Sequence, residues 1–393
     1  MASMGQPDTA PSPDIGPDAT PDAAPPDAGC MPSAERCNGL DDDCDGRIDE
    51  VIAPVRDPTL VDANAAYRPI LLWSDDGQGL AWDTDDVAVS WSPISPDGLP
   101  GETRPLVSEP YGNLSGLATH GERRYAVVRA RPRIFVAALG PDGHWVESVI
   151  ELGRVAGEAS IASTDDGLFT VHLPGGAWQA TTIVDGAVAA QVFVRGPSGP
   201  RALAGASGPE VFGAGGPLLA IYPLDLQTGD VGDAVIQMTT RAVLPDVAEV
   251  VWTGASYVAA WLESDGLRLI LHVARYRAPA FTGEVLAELA LPDALQPGRI
   301  SIRTRGDDVY LAWPASRETD SPSDAGVFVL GLRADGGRTG PVTVTDDPAA
   351  DYGWAALRPL PEDLEAPIFV AWSRLDDGVQ HLELGAIDFR CPE

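Results

Sequence analysis

The sequence predicts an all-β fold, a seven-bladed β-propeller, and three observations lead to it. From about residue 51 onward, short apolar or alternating runs rich in Val, Ile, Leu and Trp are separated by Asp-Gly, Pro-Asp-Gly and Thr-Gly turns, with no sustained helical stripe. A strand signature recurs at Ile70–Trp73, Tyr125–Val128, Leu168–Val171, Glu210–Gly213, Tyr257–Trp261, Val309–Trp313 and Ile368–Trp372, each followed by a second strand. The turns that close those second strands, Asp97-Gly98, Asp142-Gly143, Asp185-Gly186, Gly229-Asp230, Thr282-Gly283 and Asp335-Gly336, advance in steps of 45, 43, 44, 53 and 53 residues. A period of that length with about four strands per unit is the mark of a propeller blade, which cannot cover its own faces and must stack on its neighbours.

The chain of 393 residues divides into three parts. Residues 1–29 read as a linker. Positions 6–29 hold seven prolines and five aspartates with no basic or aromatic residue, so they bury too little to offset chain entropy and are expected to be disordered and extended. Met1-Ala2-Ser3-Met4-Gly5 reads as a start added for expression in place of a signal peptide. Residues 30–50 form a small acidic segment, and 51–393 the propeller. The last unit ends at a strand over Leu382–Phe389 with no residues left for a fourth, so Val51–Val55 is expected to supply it and close the ring.

Composition limits the chemistry. A net charge of -32 disfavours nucleic acid as a partner, since phosphate binding needs a basic face. The chain contains no lysine, which excludes a Walker A loop, a Schiff-base lysine and a lysine general base. No run of about 18 apolar residues is present to span a membrane as a helix. No Gly-x-Ser-x-Gly elbow, HExxH helix or dinucleotide glycine fingerprint occurs.

The segment Cys37–Glu50 packs five aspartates, one glutamate and two cysteines into fourteen residues. Asp41, Asp43 and Asp45 alternate and meet Gly46, the pattern of an oxygen-ligand loop for Ca²⁺. Cys37 and Cys44 read as one bridge around this loop, and Cys30 with Cys391 as a second that joins the two ends. An even cysteine count of this kind points to an oxidising compartment. The alternative, a Cys₄ zinc site, wants CxxC-like spacing and softer surroundings.

The loop resembles the short metal-binding motif repeated in bacterial surface proteins of the MopE type, Cys-Asp-Gly-x-Asp-Asn-Asp-Cys-Asp-Gly-x-x-Asp-Glu. Cys37, Gly39, Asp41, Asp43, Cys44, Asp45, Gly46, Asp49 and Glu50 match it, with Asn38 and Asp42 as exchanges of Asp and Asn. The match covers about twenty residues. It implies Ca²⁺ as cofactor rather than copper, bound by the carboxylates of Asp41, Asp43 and Asp45, the carbonyl of Arg47, and Asp49 or Glu50. Hard oxygen ligands suit that choice. The Asp-Pro-Ala linker resembles the tethers that follow the lipidated cysteine of exported bacterial lipoproteins.

Other candidates are weaker. Arg129, Arg131 and Arg133 alternate, share one face if extended, and form a basic island with Arg123 and Arg124 that suits an anionic ligand, although such arginines more often pair with carboxylates of an adjacent blade. The histidines His120, His144, His172, His272 and His381 show no ligand spacing. Aspartate pairs such as Asp165-Asp166 sit where turns favour them. Trp73, Trp261, Trp313 and Trp372 are expected at equivalent packing positions, leaving Trp82, Trp91, Trp145, Trp178 and Trp354 as surface-binding candidates.

These readings combine into an exported calcium-binding β-propeller, monomeric, acting as a non-catalytic cell-surface module for a protein or polysaccharide partner, with a lipid anchor in its precursor and location at the outer surface or periplasm. The alternatives are a carbohydrate-active enzyme (a lyase or glycoside hydrolase) working in the funnel, and a copper-handling surface protein.

Overall fold

The computed structural model describes residues 53–388 except 55–57, 63–69, 75–76, 85–88, 96, 108–111, 122, 131–132, 140–145, 155–158, 175, 216–217, 240–246, 265–267, 292–294, 318–324, 335, 346–350, 359–367 and 377. Two short strands come first, β1 (Ala53–Pro54) and β2 (Thr59–Asp62). Blade one is β3 (Ile70–Ser74), β4 (Gly77–Trp82), β5 (Val89–Ile94) and β6 (Arg104–Val107). Blade two is β7 (Gly112–His120), β8 (Arg123–Ala130), β9 (Arg133–Leu139) and β10 (Val146–Arg154). Blade three is β11 (Ala159–Thr164), β12 (Gly167–His172), β13 (Gln179–Val184) and β14 (Ala187–Phe193). Blade four is β15 (Ser198–Gly205), β16 (Gly208–Gly215), β17 (Leu218–Pro223) and β18 (Ile236–Thr239). Blade five is β19 (Glu249–Trp252), β20 (Ser256–Ser264), β21 (Leu269–Arg277) and β22 (Thr282–Ala290). In blade six the first strand is split into β23 (Leu295–Pro297) and β24 (Ser301–Arg305), followed by β25 (Asp308–Arg317), β26 (Gly326–Leu332) and β27 (Arg338–Thr345). Blade seven is β28 (Asp351–Arg358), β29 (Ile368–Asp376) and β30 (Val379–Asp388).

Each blade is an antiparallel meander in chain order. The first strands touch one another in a full circuit, β3 to β7, β11, β15, β19, β24, β28 and back to β3, and so form the inner wall of a ring. Both β1 and β2 pair with β30, through Ala53 opposite Asp388 and Thr59 opposite Leu384. The longer of these pairings, β2, lies further along the chain than Val51–Val55.

The core is distributed over the blade interfaces. Seven apolar clusters occur among the described residues, one between each pair of neighbours, including Leu80 and Trp82 of blade one against Phe369 and Leu384 of blade seven. Strand alternation makes this possible, because successive side chains point to opposite faces. On β20, Val258, Ala260 and Leu262 pack toward blade six, while Tyr257, Ala259 and Trp261 pack toward blade four. A strand buried on both faces reads as a continuous apolar run, which is why the signature is so regular.

The tryptophan register differs from expectation in blade one. Trp261, Trp313 and Trp372 lie on second strands and face the preceding blade. Trp73 lies on the first strand, β3, and the residue at the equivalent place is Trp82 on β4. Trp82 and Trp91 are both fully buried core residues rather than surface ones. Trp91 packs beside Gly79, where an added Cβ would lie 1.8 Å from the indole.

The turn dipeptides Asp97-Gly98, Asp185-Gly186 and Gly229-Asp230 do fall between third and fourth strands. Gly98 adopts a φ of 73° and presses on Phe369 of blade seven, with no room for a side chain. Thr282-Gly283 instead begins β22, the turn having been made by residues 278–281.

Candidate functional site

The residues of the acidic loop, Asp41, Asp43, Asp45, Arg47, Asp49 and Glu50, lie outside the described residues, as do Cys30, Cys37, Cys44 and Cys391. Arg131 lies outside them too. Arg129 is the next-to-last residue of β8 and Arg133 begins β9, and the Arg129 guanidinium donates to the Asn113 side chain at 3.1 Å. Arg123 and Arg124 are at the opposite end of β8, so the four described arginines do not form one island. Arg124 is buried, with its guanidinium 5.8 Å from the Trp91 ring centre, a cation–π contact within the core.

Nor does the structure gather the histidines. His120 contacts Ser163, His172 is fully buried on β12, His272 lies between Glu263 and Glu288, and His381 is on β30, while His144 lies outside the described residues. Among the described residues no group of three or more His, Cys, Asp or Glu could hold a metal ion. Of the aspartate pairs, Asp165-Asp166 caps the β11–β12 hairpin, and Asp308, at the start of β25, accepts the Ala334 amide at 2.8 Å.

What the ring does build is a cavity of about 240 Å³ among its first strands. Its charged lining consists of Arg201 from blade four, Glu249 from blade five, and Arg299 and Arg303 from blade six. Ser115 of blade two and Trp354 of blade seven add a hydroxyl and an indole. Among the described residues the lining holds three arginines against one glutamate, in a chain of charge -32.

Two of these cations serve the wall. Arg303 pairs with Glu249 at 3.0 Å across the blade five–blade six boundary and also donates to the Ile302 carbonyl. Arg201 donates to the Ala248 carbonyl of the next blade at 2.8 Å. Backbone groups at the same level are bound by serines, with the Ser160 hydroxyl accepting the Ala202 amide and the Ser301 hydroxyl accepting the Leu357 amide.

The inner strands are irregular where they meet the cavity. β7 carries a bulge between Leu114 and Gly116 that makes Ser115 the extra residue. β15 shifts register between Ser198 and Arg201, and β28 between Tyr352 and Trp354. Arg299 lies in the break between β23 and β24, its backbone bridged to Trp354 of blade seven. Bulges re-aim side chains and cluster next to functional sites. Sequence reading missed this site because its parts come from separate blades. No local signal marked it: Arg201 takes the ladder position that Ser160, Glu249 and Ser301 fill in other blades, a place that is polar in each of these four, while Ala202 matches Ile161, Val250 and Ile302.

No protein-family model matches the chain, and no curated protein matches it. Among solved structures, it is similar to the β-propeller domain of Cps50 (Swd1) from Myceliophteria thermophila, at 9% identity and a TM-score of 0.54, over 83% of this chain and 98% of that one. It is also similar to the core factor of S. cerevisiae, at 9% identity and a TM-score of 0.51, covering 86% of this chain and 61% of the other. At such identity the likeness shows the fold alone. The chain is a seven-bladed β-propeller module. No helix among its described residues is long and apolar enough to cross a membrane.

Proposed function

We propose that the chain is an exported, calcium-binding β-propeller that acts as a non-catalytic binding or scaffolding module at a bacterial cell surface. The observation that carries this reading is the cavity lining. It brings together arginines, a hydroxyl and an indole, which are groups that recognise a ligand, and its one described carboxylate is already paired with Arg303. A glycosidase needs two carboxylates flanking its bond. Calcium rests on the Asp41, Asp43, Asp45 and Gly46 pattern, and export rests on the even cysteine count with the lipoprotein-like linker. The partner is a protein or polysaccharide of the cell surface.

Two measurements on the full chain test the proposal. Elemental analysis of protein purified without added metal should find calcium near one equivalent per chain, and stoichiometric copper would reverse the assignment. Surface polysaccharides should be retained by the protein without release of new reducing or unsaturated ends. Catalytic turnover of any of them would make it an enzyme.

A further inference from the structure

Arg299 differs from the other cations of the cavity. Its guanidinium has no hydrogen-bond or ion-pair partner among the described residues, although the side chain is only partly exposed and lines the cavity. The chain around it is shaped to put it there, since the inner edge of blade six breaks between Pro297 and Ser301 and Arg299 is the centre of the break. Its backbone neighbour across the blade boundary is Trp354, whose own strand bulges at Gly353. Across the cavity, the Ser115 hydroxyl is buried and makes no hydrogen bond, an orphan on a bulge. Buried hydroxyls without partners are uncommon and call for a ligand or water to satisfy them.

We propose that this cavity binds a small carboxylate carrying hydroxyl groups, the chemistry of an acidic sugar unit, with Arg299 as the anchor of the carboxylate. The inference deepens the binding-module reading and rests on it. The planar guanidinium offers two parallel N–H donors that match a carboxylate fork. Trp354 offers an apolar face for a sugar ring, and Ser115 a donor and acceptor for a ring hydroxyl. The net charge of the chain repels anions at large, while the three arginines of the described lining attract them inside the cavity. An uncharged sugar would leave Arg299 without its partner, so selection is for charge first.

The test is calorimetric titration of the calcium-replete full chain with glucuronate, glucose and sulfate, repeated on Arg299→Gln, Arg299→Lys and Ser115→Ala. Glucuronate should bind one per chain with about millimolar affinity, as expected for a ligand of that size. Glucose should not bind measurably, and sulfate should bind more weakly than glucuronate. Arg299→Gln should weaken glucuronate at least about tenfold, because a charge-assisted pair is lost. Arg299→Lys, which keeps the charge but not the fork, should fall between them, and Ser115→Ala should weaken glucuronate without affecting sulfate. No saturation by glucuronate, equal affinity for sulfate and glucuronate, or undiminished binding by Arg299→Gln with an unchanged melting temperature would each overturn the proposal. Should glucuronate fail while calcium content and polysaccharide retention persist, only the assignment of this cavity falls. Loss of all three would remove the binding-module reading as well.

Discussion

The phenol of Tyr257, on the second strand of blade five, reaches both oxygens of the Glu210 carboxyl on the second strand of blade four, at 2.6 and 2.7 Å. The same phenol oxygen accepts the Ala206 amide at 2.7 Å, and Glu210 accepts the Ser207 amide at 3.0 Å. Both side chains are fully buried, so one phenol ties a turn, a carboxyl and a neighbouring blade together. Tyr257→Phe removes the shared atom and leaves an amide and a carboxyl short of partners. A loss of about 3 kcal/mol in denaturant unfolding is expected.

Burial pushes the Glu210 carboxyl above its ordinary value of 4.5. A raised acid binds more protons folded than unfolded, so its stabilising contribution is complete below the ordinary value and is lost as pH rises through the folded one. Glu210→Gln should therefore gain on the parent as pH increases from about 4.5 toward neutrality. Parallel unfolding curves at pH 4.5 and pH 8 would show the gap. A constant gap would mean that the carboxyl is not carrying this cost.

His172 has the opposite sign. Its fully buried ring is pushed down from 6.5 to about 4 by burial, so it folds neutral. Its contribution is complete above pH 6.5 and is lost as pH falls toward 4. In the parent this should remove on the order of 2 kcal/mol between pH 7 and pH 4.5. His172→Gln should lose less over that interval, read as the difference between the two proteins' denaturation midpoints.

The indole of Trp372 is fully buried between blades six and seven and donates to Glu383 at 2.8 Å. Trp261 and Trp82 make the same kind of bond, to Glu263 and Asp62, each at 3.0 Å. Trp372→Ala should cost about 3–5 kcal/mol through the cavity it leaves. Trp372→Phe should cost less, because the ring still fills much of the space and Glu383 keeps Arg374 nearby at 3.5 Å.

Glu249 neutralises Arg303 on the channel wall, and both are about one-quarter exposed or less. Glu249→Gln should cost no more than about 1 kcal/mol, the usual worth of a partly exposed pair. It should raise the affinity of the channel for anions, measurable as tighter glucuronate binding that weakens with added salt.

Much of the architecture was legible because the blades repeat. The turns at Asp97-Gly98, Asp185-Gly186 and Gly229-Asp230 are local chemistry, and strands buried on both faces leave an unmistakable apolar run. Blade one misled because Trp73 and Trp82 lie on two neighbouring short strands, and the packing of Trp82 against blade seven is not encoded locally. Trp91 read as a surface ring because nothing local reveals that Gly79 makes space for it. The channel was hidden for a different reason: Ser115, Arg201, Arg299 and Trp354 belong to four blades, and no spacing along the chain encodes closeness across a ring. The acidic loop is the reverse case, a ligand pattern complete within fourteen residues.

The pairing of β1 and β2 with β30 gives the ring a junction in blade seven. Every other blade has the same order of strands, and in blade three the third and fourth are joined by the two-residue turn Asp185-Gly186. A permuted gene that joined the old ends through a flexible spacer and opened at Asp185-Gly186 would make blade three the composite blade instead. Its product would present the same channel to a ligand while its tether left from a different blade.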